Sequence, residues 1–192
     1  MVFSGLTQPT AVSFAKDGRI FVVEKRIFVA EKSGLIKMYT SLEDTSPDIV
    51  ADLRTEVHDY WDRGLLGMAL DPNFPTNNAI YVLYTYDAPI GGMAPVFNDT
   101  CADPTGNGCV VSGRLSKLTN IGGPPSAVNE QVLINDWCQQ YPSHSIGSLA
   151  LGPDGALYVS GGDGASFNWV DYGQGGSPVN PCGDPPGGSA GS

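Results

Sequence analysis

Charge is scarce in this sequence, and positive charge scarcer still. Charged residues make up 16% of the 192 positions, with ten Lys or Arg against twenty Asp or Glu and a formal net charge of −10. Nucleic-acid recognition needs clustered cations, so this balance argues against such a partner; the acidity, with a pI near 4.3, reads as a solubility feature. No apolar run is long enough to span a membrane, although 41% hydrophobic residues suffice for a buried core. No long segment keeps a 3.6-residue apolar period either, while glycine (25) and proline (15) are abundant. Short strands joined by turns follow, and the class is all-β. The four cysteines, at 101, 109, 138 and 182, form no C-x-x-C pair, which argues against a zinc site.

Disulfides are the expectation instead. Cys101 and Cys109 bracket the turn-rich stretch Ala102–Gly108, and Cys138 could join Cys182, but four cysteines allow three pairings and spacing does not choose among them. Oxidised cysteines place a protein outside the cytosol, secreted or periplasmic. No signal-peptide pattern precedes Val2, so Met1 is expected to begin a trimmed form of the natural chain.

One unit recurs three times: an apolar strand, a turn with Asp-Gly or Asp-Pro-Asn, and a second strand rich in β-branched and aromatic residues. The copies are Pro9–Val23, Leu66–Phe74 running to Ile80–Tyr84, and Ile146–Ser160. Each reads as a hairpin, and hairpins at comparable spacing with insertions suit propeller blades. At roughly 40–50 residues per blade the chain holds about four at most, too few for a closed ring.

Arg19–Lys25 is repeated at once as Arg26–Lys32. Seven is an odd shift, so only one copy can keep the strand's register, and the repeat reads as a duplication without function. Across Asp48–Trp61 the apolar residues fall on a helix-like stripe, whereas a propeller requires a strand followed by a loop. Residues 1–172 are expected to form the folded part. Gly173–Ser192, with seven glycines and four prolines, is expected to be an irregular tail.

Two loops carry chemistry. Trp61-Asp-Arg-Gly-Leu-Leu-Gly67 sets an aromatic and two charges beside a glycine turn. Tyr141-Pro-Ser-His-Ser-Ile-Gly147 is followed one hairpin later by Ser160-Gly-Gly-Asp163. The turn at Pro153–Gly155 returns residues near 160–163 to the edge where 144–147 lie, bringing His144 within reach of Asp163. A carboxylate on one ring nitrogen fixes the tautomer and leaves the other as a base.

Arg63-Gly-Leu-Leu-Gly-Met-Ala-Leu-Asp-Pro-Asn-Phe74 with Ile80-Tyr-Val-Leu-Tyr84, and His144-Ser-Ile-Gly-Ser-Leu-Ala-Leu-Gly-Pro-Asp-Gly-Ala-Leu-Tyr-Val-Ser-Gly-Gly-Asp163, resemble the glucose/sorbosone dehydrogenase family. These are soluble quinoprotein sugar dehydrogenases built as six-bladed β-propellers, and the resemblance is to their N-terminal blades. It implies oxidation of a sugar hydroxyl, the proton going to His144 and the hydride to pyrroloquinoline quinone (PQQ) held with calcium. Asp163 would orient the histidine, and Asp62, Arg63 and Ser143 would contact substrate. Ser143 stands where family members carry an acidic contact, and Asp62-Arg63 replaces an amide pair, which leaves the sugar open, as is the electron acceptor. The family's basic quinone ligands and calcium loop belong to later blades, expected beyond Ser192, so the chain alone is expected to be inactive.

Other candidates are weaker. His58 reads as a solvated loop residue, and Asn98-Asp-Thr100 is a glycosylation sequon of low specificity. Gly161-Gly-Asp-Gly164 lacks the alternating oxygen ligands of a calcium loop, and no metal is assigned. The rival to the enzyme is a non-catalytic propeller binding carbohydrate or protein, because fold does not fix function.

Overall fold

The computed structural model describes residues 4–14 and 26–166, together with Cys182. Ten strands make up its regular structure, with one short 3₁₀ turn at Pro125–Ala127 and no α-helix among the described residues. β1 (Pro9–Phe14), β2 (Ile27–Glu31), β3 (Leu35–Tyr39) and β4 (Asp48–Asp52) form one antiparallel sheet in chain order. β5 (Leu65–Leu70), β6 (Ile80–Tyr86), β7 (Val111–Thr119) and β8 (Asn129–Gln139) form a second, and β9 (Ile146–Leu151) pairs with β10 (Leu157–Gly161) in a third. The first strands of successive sheets lie side by side, β1 against β5 and β5 against β9. Up-and-down four-stranded sheets stacked by their first strands are the blades of a propeller.

The second copy of the tandem repeat supplies β2. It runs between β1 and β3, with Phe14 opposite Ile27 and Ala30 opposite Ile36, and Ile27, Phe28, Val29 and Ala30 are fully buried. The first copy and the second strand of the Pro9–Val23 unit lie outside the described residues, as does the Gly173–Ser192 stretch apart from Cys182. The other two repeated units form hairpins, β5 with β6 and β9 with β10.

Apolar faces meet between sheets. Phe28 packs edge-on against Phe74 at 5.3 Å, within a cluster that includes Ile36, Leu65, Ile80 and Leu118. Leu83, Leu115, Ile146 and Leu149 fill the next junction. Each blade therefore buries its faces against its neighbours, with about 1.5–3 kcal/mol of transfer free energy for every large side chain removed from water.

The helix-like stripe at Asp48–Trp61 resolves into β4 and a loop. Val50, Leu53 and Val57 are buried while Ile49 and Trp61 are exposed. Leu53 continues the pairing by donating its N–H to the Gly34 carbonyl, and its own carbonyl accepts from Glu56 and Val57. Tertiary pairing thus overrides a local period that happens to match 3.6.

The disulfides are Cys101–Cys109 and Cys138–Cys182. The first closes the loop between β6 and β7, and the second joins the end of β8 to the C-terminal stretch.

Candidate active site

Two connections meet at one edge of the sheets: the loop from β4 to β5 carrying Trp61, Asp62 and Arg63, and the loop from β8 to β9 carrying Ser143 and His144. Backbone bonds extend the β9–β10 ladder beyond its strands. Gly162 donates to the Ser145 carbonyl (2.7 Å), Gly164 to His144 (2.9 Å) and Tyr141 to Gly164 (3.0 Å). A Cβ at Gly162 would collide with the His144 carbonyl, so this close approach of backbones requires glycine.

His144 sits in the left-handed region, φ +51°, where non-glycine residues are uncommon. Both of its peptide groups are held. Its N–H donates to Asp62 Oδ2 at 3.2 Å, and its carbonyl takes the Gly164 bond. Asp62 in turn donates its own N–H to the Pro142 carbonyl at 3.1 Å, so the two loops are stitched in both directions. Asp163 Oδ1 lies 3.4 Å from His144 Nδ1 and also accepts the Ala165 N–H at 3.0 Å. The imidazole is 45% exposed and the Asp163 side chain 28%. At 3.4 Å the pair is looser than a good hydrogen bond.

His144, Asp163 and Asp62 are therefore brought together, while the other two candidates turn inward. The Ser143 hydroxyl is buried and donates to the Ala165 carbonyl at 2.7 Å. Arg63 is 0% exposed. Its guanidinium donates to the Gln139 carbonyl (2.8 Å), to Cys109 Sγ (3.0 Å) and to His58 Nδ1 (3.2 Å), while its Nε finds no partner. Burial lowers its pKa to about 9, with the charge of Asp87 acting the other way, and it remains a cation at neutral pH.

His58, expected in solvent, is also fully buried, and no pattern in the sequence warned of it. Its Nε2 lies 3.0 Å from the Thr100 carbonyl. A carbonyl only accepts and a guanidinium only donates, so the ring carries its proton on Nε2 and receives Arg63 at Nδ1. Burial and the adjacent Arg63 charge both lower its pKa, which keeps it neutral.

Most of the remaining cations are committed elsewhere. Among the described residues, Lys32 pairs with Asp59, Lys37 with Glu31, Arg54 with Asp52 and Lys117 with Asp71, while Arg114 lies over the Tyr86 ring at 3.3 Å. Within that set no group of three His, Cys, Asp or Glu side chains is placed to hold a metal ion, and no helix is long and apolar enough to cross a membrane.

A family model described as glucose/sorbosone dehydrogenase matches residues 6–174. Among curated proteins, mouse and human Hedgehog-interacting protein are each 28% identical over 169 residues, which is 85% of this chain and 22% of theirs. An oxidoreductase (glucose dehydrogenase) from Thermus thermophilus superposes with a TM-score of 0.56 at 24% identity, covering 84% of this chain and 39% of its own. The PQQ-bound aldose sugar dehydrogenase of Streptomyces coelicolor does so with 0.60 at 16% identity, covering 92% and 42%. The chain thus spans about a fifth of those curated relatives and about two fifths of those solved structures. With blades stacked by their first strands and a match across most of its length, the chain belongs to the glucose/sorbosone dehydrogenase family.

Proposed function

We propose that this chain contributes the substrate-activating face of a PQQ-dependent sugar dehydrogenase of the aldose type. The observation carrying the reading is the clasp that presents His144, fixed by Asp62 at its amide and faced by Asp163 at Nδ1. In this role a sugar hydroxyl gives its proton to His144 Nε2, and Asp163 stabilises the imidazolium that results. Asp62 holds the histidine's backbone and offers a carboxylate at the rim. Arg63 and Ser143 act from below as supports, not as substrate contacts.

The described residues do not fit the oxidant's own needs. PQQ is a polycarboxylate and calls for cations, whereas the cations near the clasp are buried or paired, and no calcium ligand set is assembled. No step is therefore derived through quinone or calcium, and on this reading both are held by parts of the protein outside these residues. Alone, the chain is expected to give no quinone-dependent turnover. The two disulfides support an extracytoplasmic location, secreted or periplasmic.

A second reading, a non-catalytic propeller that binds carbohydrate or protein, draws support from the 28% identity to a protein named for its interaction with Hedgehog. A chimera separates the two. Residues 6–166 replace the matching blades of the Streptomyces coelicolor aldose sugar dehydrogenase, and quinone-dependent aldose oxidation is measured. Turnover that falls about 10²- to 10⁴-fold in His144→Gln supports the enzyme. A folded, quinone-binding chimera without turnover favours the binding module.

A further inference from the structure

Trp61 is 48% exposed, which for a single aromatic residue on a surface is ordinary. Three further observations set it apart. Its backbone takes φ +50°, a region a bulky residue enters only when its surroundings hold it there. Its indole stacks on Tyr60 at 5.6 Å and 14°, and Tyr60 stacks on the buried His58 at 6.0 Å and 9°. Three nearly parallel rings therefore run from the buried His58 to the half-exposed Trp61, the outermost stacked on its neighbour. The third observation is position: the next residue, Asp62, makes both stitches to the His144 loop.

An exposed ring that is already immobilised offers apolar area without losing side-chain entropy when a ligand arrives. The rim around it carries Asp62 and Asp163, with the nearby Arg63 withdrawn into the interior. A phosphorylated or carboxylated ligand would meet carboxylates there, with Lys32 already paired to Asp59. A neutral ring sugar has hydroxyls for the carboxylates and a face of axial C–H bonds for the indole.

We propose that Trp61 is the stacking platform of this site, receiving the C–H face of a neutral pyranose beside His144 and selecting ring sugars over open-chain polyols. The inference rests on the reading of His144 as the centre of a sugar site.

The test uses the 192-residue chain and its Trp61→Ala, Trp61→Phe and His144→Gln variants, each checked for a native-like thermal transition. Binding of a methyl pyranoside, locked as a ring, is compared with that of the corresponding alditol by NMR titration, following the His144 backbone amide in every form and the Trp61 indole N–H where the tryptophan is present. The pyranoside is expected to shift the indole signal and to bind Trp61→Ala roughly three- to tenfold more weakly, with Trp61→Phe within about twofold of the parent. Alditol affinity is expected to stay within about twofold in all three Trp61 forms. Equal weakening of both ligands, or none, overturns the platform. Loss of binding in His144→Gln alone, with Trp61→Ala unchanged, overturns the platform and leaves the sugar site standing. A parent chain that binds neither ligand overturns both.

Discussion

The carboxylate of Asp62 accepts the backbone N–H of His144 at 3.2 Å, joining residues 82 positions apart. That bond and its reciprocal, Asp62 N–H to the Pro142 carbonyl, make the geometry of the histidine a property of two blades. Asp62→Ala is expected to cost about 1 kcal/mol of stability and to speed amide exchange at His144, because a charge-assisted bond at a half-exposed site is lost. Asp62→Asn keeps an acceptor and should sit between. Unchanged exchange at His144 in the alanine variant would remove the clasp from the account.

Arg63 should matter to folding more than to any ligand. Arg63→Met deprives the Gln139 carbonyl and His58 Nδ1 of their donor in a buried setting, and a loss of roughly 2–4 kcal/mol in urea denaturation is expected. Arg63→Lys should rescue little, since one ammonium cannot reproduce a planar fork with three partners. Melts indistinguishable from the parent would contradict this.

His58 makes stability depend on pH in a defined direction. Its folded-state pKa is lowered by burial and by Arg63, while in the unfolded chain it lies near 6.5. Below that value the unfolded chain binds a proton that the folded one refuses, so stability is full above about pH 6.5 and is lost as pH falls. His58→Gln, which can still donate to Thr100 and accept from Arg63, should flatten the profile below about pH 6.5. A slope that survives the substitution assigns it to another group.

The two disulfides close chain segments of very different length, with separations of 8 and 44 residues. On the chain-entropy account, replacing Cys101 and Cys109 by serine should cost about 2.5 kcal/mol, and replacing Cys138 and Cys182 about 4 kcal/mol. The reverse order in paired urea melts would show that strain or local contacts outweigh loop closure.

Much of the fold was legible because turn chemistry and alternation act locally. Asp71-Pro-Asn73 and Pro153-Asp-Gly155 announced two hairpins that the structure contains, and the second of them carried His144 towards Asp163. What stayed hidden depended on contacts distant in sequence. From the sequence His58 reads as a solvated loop residue and Arg63 as a substrate contact, until the β6–β7 loop and the end of β8 fold over them, supplying Thr100, Cys109 and Gln139 as partners. The apolar spacing of Asp48–Trp61 fitted a helix equally well, and only the edge of β3 decides for a strand. Nor did the sequence say which repeat copy takes the strand; the second pairs with both β1 and β3.

The most direct test of the central claim is an NMR titration of the isolated chain with a neutral aldose, observing the ring carbons and protons of His144. A saturable shift of those resonances is expected at millimolar sugar, reduced when Asp163 is changed to Asn and absent when Asp62→Ala releases the loop. A His144 ring that does not respond to any aldose would contradict a sugar-activating site.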